Sequence, residues 1–423
     1  MMKVGAVADR FADAASFGIS LAKTGARTAV IFDATAAEDE HMRRFDAVSV
    51  SANLNSFSHE EVFHNYSAAA KILKEFGVQQ LSLKIDPIPG RETLTKIRAM
   101  LDVLGGDSVA IVVPLESEFI PAAEANDMAE RINESKLKVC HIGAENLILG
   151  KEQIKKALIW RRQEKNRILI MDAVTKENMD EAALAVAELD WNVLIVDSGV
   201  FTAKFAYRKG LILNPASAKV GTVIPKEGGT ALVIDGSTSP VTQRQMEVLF
   251  AHNDVDHIAV NTGLLTKSDE NAEYEIRRVA RSVTEAIHSD RPPRTMVVDT
   301  VLCGKILDLP AEDHKNHFQR GSCAYNIKNS LGRIATKIIH DTAEKLIGIY
   351  ITGDETITAV CSHLGVKAIE LTDSVLPQAT AGHLIGANQE LPIIWNKGGT
   401  GSEYTAEDLV NHLFLAASKD LSS

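Results

Sequence analysis

Short apolar runs alternate with segments of helical period along nearly the whole chain, and this alternation leaves few architectures open. Residues 3–8 and 28–32 are apolar and partly β-branched. Between them Ala12, Ala15, Ile19 and Ala22 recur at helical spacing, and Gly25 closes that segment. Residues 47–51 form a weaker strand signal, followed by a polar loop over 53–58. Ser58-His59-Glu60-Glu61 then has an N-cap residue with an acid three places on, starting a helix that runs to about Phe76. A strand over 81–85 stops before Pro87 and Pro89, which cannot extend it. The same reading predicts helices over 91–104, 151–160 and 177–189, and strands over 108–113, 167–171 and 193–196, with 161–167 a charged surface connection. Strands joined by crossover helices make mostly parallel sheets covered on both faces. The expected class is therefore α/β, with ligands gathered just beyond the carboxyl ends of strands.

At 423 residues the chain exceeds one core, and a stretch rich in Pro, Gly and small residues at 214–229 offers a break. Two domains are expected, 1–222 and 223–423, each a mostly parallel sheet flanked by helices. The second opens with a strand at 230–234 and the turn Asp235-Gly236-Ser237-Thr238-Ser239-Pro240, with Pro240 suited to a helix's first turn. A strand over 257–260, a helix over 273–287, a strand over 295–299 and a long helix over 322–346 follow. A final helix runs from Thr405 to about Leu415.

Two glycine-containing turns near the C-terminus each follow an apolar run. Residues 349–351 precede Thr352-Gly353-Asp354-Glu355-Thr356, and residues 393–395 precede Asn396-Lys397-Gly398-Gly399-Thr400-Gly401-Ser402. Glycines at a strand end let the backbone approach a ligand and aim several N–H groups at it, and a following helix start adds partial positive charge. With the Lys397 cation, that is what a phosphate requires. The alternative is a pair of ordinary strand-to-helix turns.

The net charge of −11 argues against nonspecific nucleic-acid or anionic-membrane binding, and no apolar stretch reaches membrane-span length. The N-terminus enters a strand signal directly, so no secretory leader is expected. Cys140, Cys303, Cys323 and Cys361 stand far apart without a CxxC pair, as expected of reduced thiols in a cytoplasmic protein. His314 and His317 beside Asp313 suggest a metal pair, but their polar neighbours favour a solvated loop, and no protein-held metal is expected. Ser198 lacks the flanking pattern of a hydrolase elbow. Neither a dinucleotide fingerprint nor a full Walker motif is present.

Three phrases of the second domain, in order, carry a resemblance. Gly236-Ser237-Thr238-Ser239-Pro240-Val241-Thr242 with Gln245, then Thr352-Gly353-Asp354-Glu355-Thr356, then Lys397-Gly398-Gly399-Thr400-Gly401 resemble the motifs of the four-carbon acid sugar kinase family. That family has Gly-Ser-x-Ser-x-x-Thr-x-x-Gln, Thr-Gly-Gly-Asp/Glu-Thr and Lys-x-Gly-x-Gly. The resemblance implies an N-terminal acid-sugar domain and a C-terminal nucleotide domain, with ATP and Mg²⁺ as cofactors. It also implies that Ser237, Ser239, Thr352, Gly353, Asp354, Glu355, Thr356, Lys397, Gly398, Gly399, Thr400 and Gly401 hold the nucleotide. Asp354 replaces a family glycine. A carboxylate beside a polyphosphate is repulsive by about 1 kcal/mol or more at 4 Å, so Asp354 is a metal ligand, a sign of weakened nucleotide binding, or a solvent-facing change.

The first domain is eroded where an acid sugar would bind. The family's Ile-Ala-Asp-Asp followed by Thr-Gly appears as Val7-Ala8-Asp9-Arg10, then Phe11-Ala12-Asp13. Its Ser-Arg pair appears as Leu54-Asn55. Its Lys-x-Asp-Ser-Thr-x-Arg-Gly appears as Lys84-Ile85-Asp86-Pro87-Ile88-Pro89-Gly90-Arg91. The resemblance then implies substrate contacts from Asp9, Arg10, Asn55, Lys84, Asp86 and Arg91, and makes Asp9 and Asp86 the candidates to accept the hydroxyl proton. Capping or loop hydrogen bonds are the plainer reading of both aspartates, and a surface lysine that of Lys84. Loss of the Arg and of two hydroxyls removes much of the grip on a carboxylate and its hydroxyls, so an altered substrate, not the usual four-carbon acid, or no substrate at all, is expected. The two readings are an ATP-dependent kinase and a relative that binds nucleotide or a small ligand without phosphorylating it. Neither nucleic acid nor membrane is an expected partner, and the assembly state is left open, with a homodimer among the options.

Overall fold

The computed structural model describes residues 2–32, 36, 40–52, 58–85, 92–114, 137–172, 175–212, 228–300, 306–386 and 391–418. The chain divides into two units, Met1–Val220 and Gly221–Ser423. The boundary expected from the sequence falls in a stretch outside the described residues.

The first unit contains strands β1 (Val4–Ala8), β2 (Thr28–Ile31), β3 (Ala47–Ser51), β4 (Gln80–Lys84), β5 (Val109–Val112), β6 (Val139–Ile142), β7 (Ile168–Met171) and β8 (Val193–Asp197). They pair in the order β2-β3-β1-β4-β8-β5-β7-β6, every pair parallel. Its helices are α1 (Phe11–Ala22), α2 (His59–Glu75), α3 (Glu92–Leu104), the single turn α4 (Ala144–Leu147), α5 (Lys151–Gln163), α6 (Lys176–Glu188) and α7 (Val200–Arg208). The inner strands read as unbroken apolar runs because helices bury both faces; β1, β5 and β7 are buried at every position. One cluster packs Phe17 and Leu21 of α1 against Val4 and Ala6 of β1 and Ala203 and Ala206 of α7. Each such fully buried large side chain contributes about 1.5–3 kcal/mol.

The capping box is present: Ser58 Oγ accepts from the Glu61 N–H at 3.2 Å, ahead of α2. The charged connection at 161–167 is not a solvated linker. Helix α5 runs on to Gln163, placing Arg161 and Arg162 in its last turn, where cations complement the dipole. Arg162 donates to the Asp107 carbonyl at 2.8 Å and lies over the Trp191 ring, while Arg167 donates to the carbonyls of Gly105 and Ser108. These arginines tie the α3–β5 connection to the neighbouring elements.

The second unit contains β9 (Thr230–Asp235), β10 (Val255–Ala259), β11 (Thr295–Asp299), β12 (Leu346–Thr352), β13 (Ala368–Leu376), β14 (Ala379–Ile385) and β15 (Pro392–Asn396), ordered β10-β11-β9-β12-β15-β14-β13. Helices α8 (Pro240–Phe250), α9 (Glu270–Ile287), α10 (Leu309–Lys315), α11 (Ser322–Thr342), α12 (Asp354–His363) and α13 (Thr405–Ser418) accompany them. The pairs from β10 to β15 are parallel. β14 runs antiparallel to both β15 and β13, a departure from the expected alternation. Pro377 and Gln378 make the short connection that lets β13 turn straight back into β14, so no crossover helix is needed. The long helix expected to 346 ends at Thr342, and a 3-10 turn, Ala343–Lys345, leads into β12. His314 lies within α10 and His317 just beyond it, so the stretch expected as a solvated loop is partly helical. Asp313 is buried, and its carboxylate accepts the N–H groups of Gly321 and Cys323 at 2.6 and 2.8 Å, stitching α10 to the start of α11.

Among the described residues no helix is long and apolar enough to cross a membrane. Cys140, Cys323 and Cys361 are free thiols, the last two buried; Cys303 lies outside the described residues.

Candidate functional site

In an open parallel sheet a crevice forms where adjacent strands send their connections in opposite directions. In the second unit this point lies between β9, which leads to β10 on one side, and β12, which leads to β13 on the other. A row of buried polar residues ends the strands here. Asp235 of β9 stands in register with Thr352 of β12, and Thr352 with Asn396 of β15; all three are at most 1% exposed. Each is followed at once by a glycine turn: Gly236-Ser237, Gly353-Asp354, and Lys397-Gly398-Gly399.

The three turns touch one another. The Gly236 N–H donates to the Thr352 carbonyl at 3.3 Å, and the Gly353 N–H to the Asn396 carbonyl at 3.0 Å. The Gly399 N–H donates to Thr242 Oγ1 at 3.0 Å, and Thr242 Oγ1 is itself 3.0 Å from Ser237 Oγ. The buried amide of Gln245 donates to the carbonyls of Thr400 and Ser402 at 2.8 and 2.9 Å, pinning the last turn to α8. Ser239 caps α8 through the Val241 N–H. Gly398 and Gly399 have φ of 75° and 68°, which disfavours side chains. A Cβ on Gly398 would meet Ser237 Oγ at 2.8 Å, and one on Gly399 would meet Ser239 Oγ at 2.9 Å. A Cβ on Gly236 would overlap the Thr356 hydroxyl. Glycine is therefore what lets the turns close against each other.

Around this crevice Lys397 is exposed and makes no ion pair among the described residues. Asp354 is the first residue of α12 and Glu355 the second, so both carboxylates sit at the positive end of that helix. Asp354 is not simply solvent-facing, since its Oδ1 is buried; Glu355 is exposed and pairs with Lys328 of α11. Beneath the turns Asp235 faces Asp299, which ends the adjacent β11. Burial pushes the Asp235 carboxyl up to about 8, repulsion from Asp299 adds to the rise, and the Ser237 N–H on Oδ1 opposes it. Burial likewise raises the Tyr350 hydroxyl, which faces Thr352 and Asn396. Asp235, Asn396 and Tyr350 were not singled out by sequence reasoning; a polar residue closing an otherwise apolar run, just before a glycine, is the signal that marks Asp235 and Asn396.

In the first unit the equivalent switch point lies between β1, which leads to β2, and β4, which leads to β5. Asp9 follows β1 and Lys84 ends β4, so the two flank it. Asp9 does not cap α1, whose N-cap is Arg10 and lacks a side-chain cap bond. Its carboxylate instead takes the Tyr66 hydroxyl of α2 and the Lys96 ammonium of α3, the latter at 2.6–2.7 Å. Lys84 is not a surface lysine: its side chain is 12% exposed and pairs with Asp13 at 3.1 Å. Arg10 Nε reaches the other Asp13 oxygen at 3.1 Å. Lys96, Tyr66 and Asp13, the partners of Asp9 and Lys84, were not singled out from the sequence. A lysine at position 96 falls on the apolar stripe of α3 with Thr93, Ile97 and Met100, and that misplacement is the readable signal. Asn55, Asp86 and Arg91 lie outside the described residues.

Both units are thus open α/β sheets with polar residues at a switch point, and the second carries three mutually bonded glycine turns suited to a polyphosphate. Two family models match, one within each unit: a sugar-binding N-terminal domain over residues 117–205, which does not reach Asp9 or Lys84, and a nucleotide-binding C-terminal domain over residues 232–406, which spans the three glycine turns. The chain is similar to the D-erythronate kinase of Heliobacterium modesticaldum, at 26% identity over 99% of both chains, and to the D-threonate kinase of Salmonella typhimurium, at 22% identity over 97% of this chain and 98% of that one. Its fold is like that of a Salmonella typhimurium LT2 protein described as a putative tRNA synthase, with TM-score 0.72 and 18% identity over 99% of this chain and all of the other. Haemophilus influenzae protein HI1011 gives TM-score 0.70 at 18% identity, over 97% of this chain and all of that one. The chain belongs to the four-carbon acid sugar kinase family.

Proposed function

We propose that this protein transfers the γ-phosphoryl group of ATP to a hydroxyl of a small sugar acid or a related hydroxy acid. The observation that carries this reading is the meeting of three glycine turns at one switch point, with Lys397 exposed beside them. Ser237, Ser239, the 352–356 turn and the 397–401 turn would hold the phosphates through backbone N–H groups, hydroxyls and one cation. The relatives named for D-erythronate and D-threonate suggest an acceptor of about that size.

Phosphoryl transfer asks little covalent chemistry of a protein and depends on positioning and charge. Mg²⁺, when bound, would supply positive charge against the phosphates. It commonly binds through one or two carboxylates plus phosphates, and Asp354 at the start of α12 suits that role better than a protein cage. Among the described residues no three His, Cys, Asp or Glu side chains gather to hold a metal on their own. At the acceptor end Asp9 would orient a hydroxyl; Lys84 and Arg10, both paired with Asp13, are the nearby cations of the same unit.

The decisive experiment is ATP consumption across four- to six-carbon sugar acids. Turnover with at least one acid is expected. The second reading, a nucleotide-binding relative without transferase activity, is favoured by Asp13, which already occupies both Lys84 and Arg10. Tight ATP binding with no turnover on any acid would decide for it. A direct check on the nucleotide site is Lys397→Ala. Loss of a charge-assisted contact of about 1.5–3 kcal/mol should weaken ATP binding at least about tenfold by calorimetry. Unchanged affinity would remove Lys397 from the site.

A further inference from the structure

We infer that Lys96 and Tyr66 are positioning residues that hold Asp9 in the one orientation able to meet the acceptor hydroxyl, an assignment that rests on the kinase reading above. Three elements far apart in sequence meet here. Asp9 follows β1, Tyr66 is on α2 and Lys96 is on α3. Lys96 Nζ lies 2.6 Å from Asp9 Oδ1 and 2.7 Å from Oδ2, and the Tyr66 hydroxyl donates to Oδ1. Lys96 Nζ also sits 5.7 Å from the centre of the Tyr66 ring, so each member touches the other two. The Asp9 backbone is held as well, since Ser51 Oγ donates to its carbonyl at 3.1 Å.

The pattern of exposure assigns the roles. Tyr66 is fully buried and the Lys96 side chain is 9% exposed, whereas that of Asp9 is 29% exposed. A ligand can therefore reach the carboxylate but not the groups that clamp it. A lysine is seldom enclosed between helices unless paired, and an isoleucine or methionine would fill the α3 stripe without that demand. The enclosed cation thus serves Asp9 rather than the core. A carboxylate held from two sides by an ammonium and a phenol is fixed in place as a proton acceptor. That suits a loose transition state, in which the hydroxyl proton leaves late. In the step itself the acceptor oxygen bonds to the γ-phosphorus and the bond from that phosphorus to the β–γ bridging oxygen breaks. The hydroxyl proton passes to Asp9 and on to water, and ADP leaves.

The test uses the full chain, ATP, and whichever acid of the panel the unaltered protein turns over fastest. Lys96→Met should lower kcat by about a hundredfold while the KM for ATP stays within about twofold, because the ATP contacts lie in the second unit. Lys96→Arg should recover about tenfold of that loss. Tyr66→Phe should cost about three- to tenfold. The deciding measurement is the cycle with Asp9→Asn: Lys96→Met added to Asp9→Asn should lower kcat by no more than about threefold further. Full multiplication of the two losses, or a raised KM for the acid at unchanged kcat, would overturn the assignment. Should Lys96→Met fail to fold, Tyr66→Phe with Asp9→Asn gives the same cycle. No turnover of any acid by the unaltered protein overturns the kinase reading and this role together, whereas turnover that Lys96→Met leaves intact sinks only this role.

Discussion

Replacing Gly398 with alanine is expected to weaken ATP binding by about 30-fold or more, equivalent to about 2 kcal/mol, while Gly365→Ala leaves it unchanged. Both glycines have left-handed backbone, with φ of 75° and 69°. Each substitution therefore carries the backbone penalty of an L-residue in that region, about 1–2 kcal/mol of folding stability. They differ in surroundings. A Cβ on Gly365 meets nothing within 4 Å, whereas on Gly398 it meets Ser237 Oγ at 2.8 Å and Ser237 Cβ at 3.0 Å. The second case forces the β15 turn away from the β9 turn, and a phosphate held by both loses one of them. Thermal melts should show both variants destabilised, Gly398→Ala the more, and calorimetry with ATP should separate them. Equal ATP affinity in the two variants would mean that the contact between the turns is structural only.

The second large effect is a pH dependence carried by Asp235. Its carboxyl is raised from 3.8 to about 8, first by burial and then by Asp299, so the folded protein keeps that proton through neutral pH while the unfolded chain releases it. The stabilisation is complete below the unfolded value and is lost as pH rises toward the folded one. Between about pH 4 and 8 this group lowers stability by up to about 1.4 kcal/mol per pH unit. Asp235→Asn keeps the shape and removes the titration. Urea unfolding should show the variant and the unaltered protein close together near pH 4. The variant should then gain steadily to pH 8, by several kcal/mol in all, with the gap levelling beyond. A gap that does not change with pH would mean that Asp235 is ionised in the folded protein. Asn396, Thr352 and Tyr350 end or flank the same row, so the new amide has polar neighbours to meet.

The glycine turns show how local information and tertiary information divide. Their residue types, and their positions after apolar runs, can be read along the chain because a strand end and a turn are set by neighbours a few residues apart. That Gly236, Gly353 and Gly398 lie against one another depends on the order β9-β12-β15, which joins turns 117 and 45 positions apart along the chain. The family motifs bridge that distance only by resemblance. The β13–β14 hairpin was missed for a related reason. Its strands are nine and seven residues long, but polar and small residues interrupt the alternation, and the two-residue link through Pro377 departs from the helix-crossover pattern that governs the rest of the chain.

At the switch point of the first unit the chain discloses Asp9 and Lys84 as polar residues at strand ends, and no more. Their partners are supplied by packing: Lys96 and Tyr66 reach Asp9 from two helices, and Asp13 reaches Lys84 from a third. Periodicity, caps and turn chemistry determine α/β layering in two units, because they are interactions of near neighbours. Which carboxylate meets which cation, and which polar groups are closed off from water, is decided by long-range packing, since burial and pairing are properties of a site that no single segment contains.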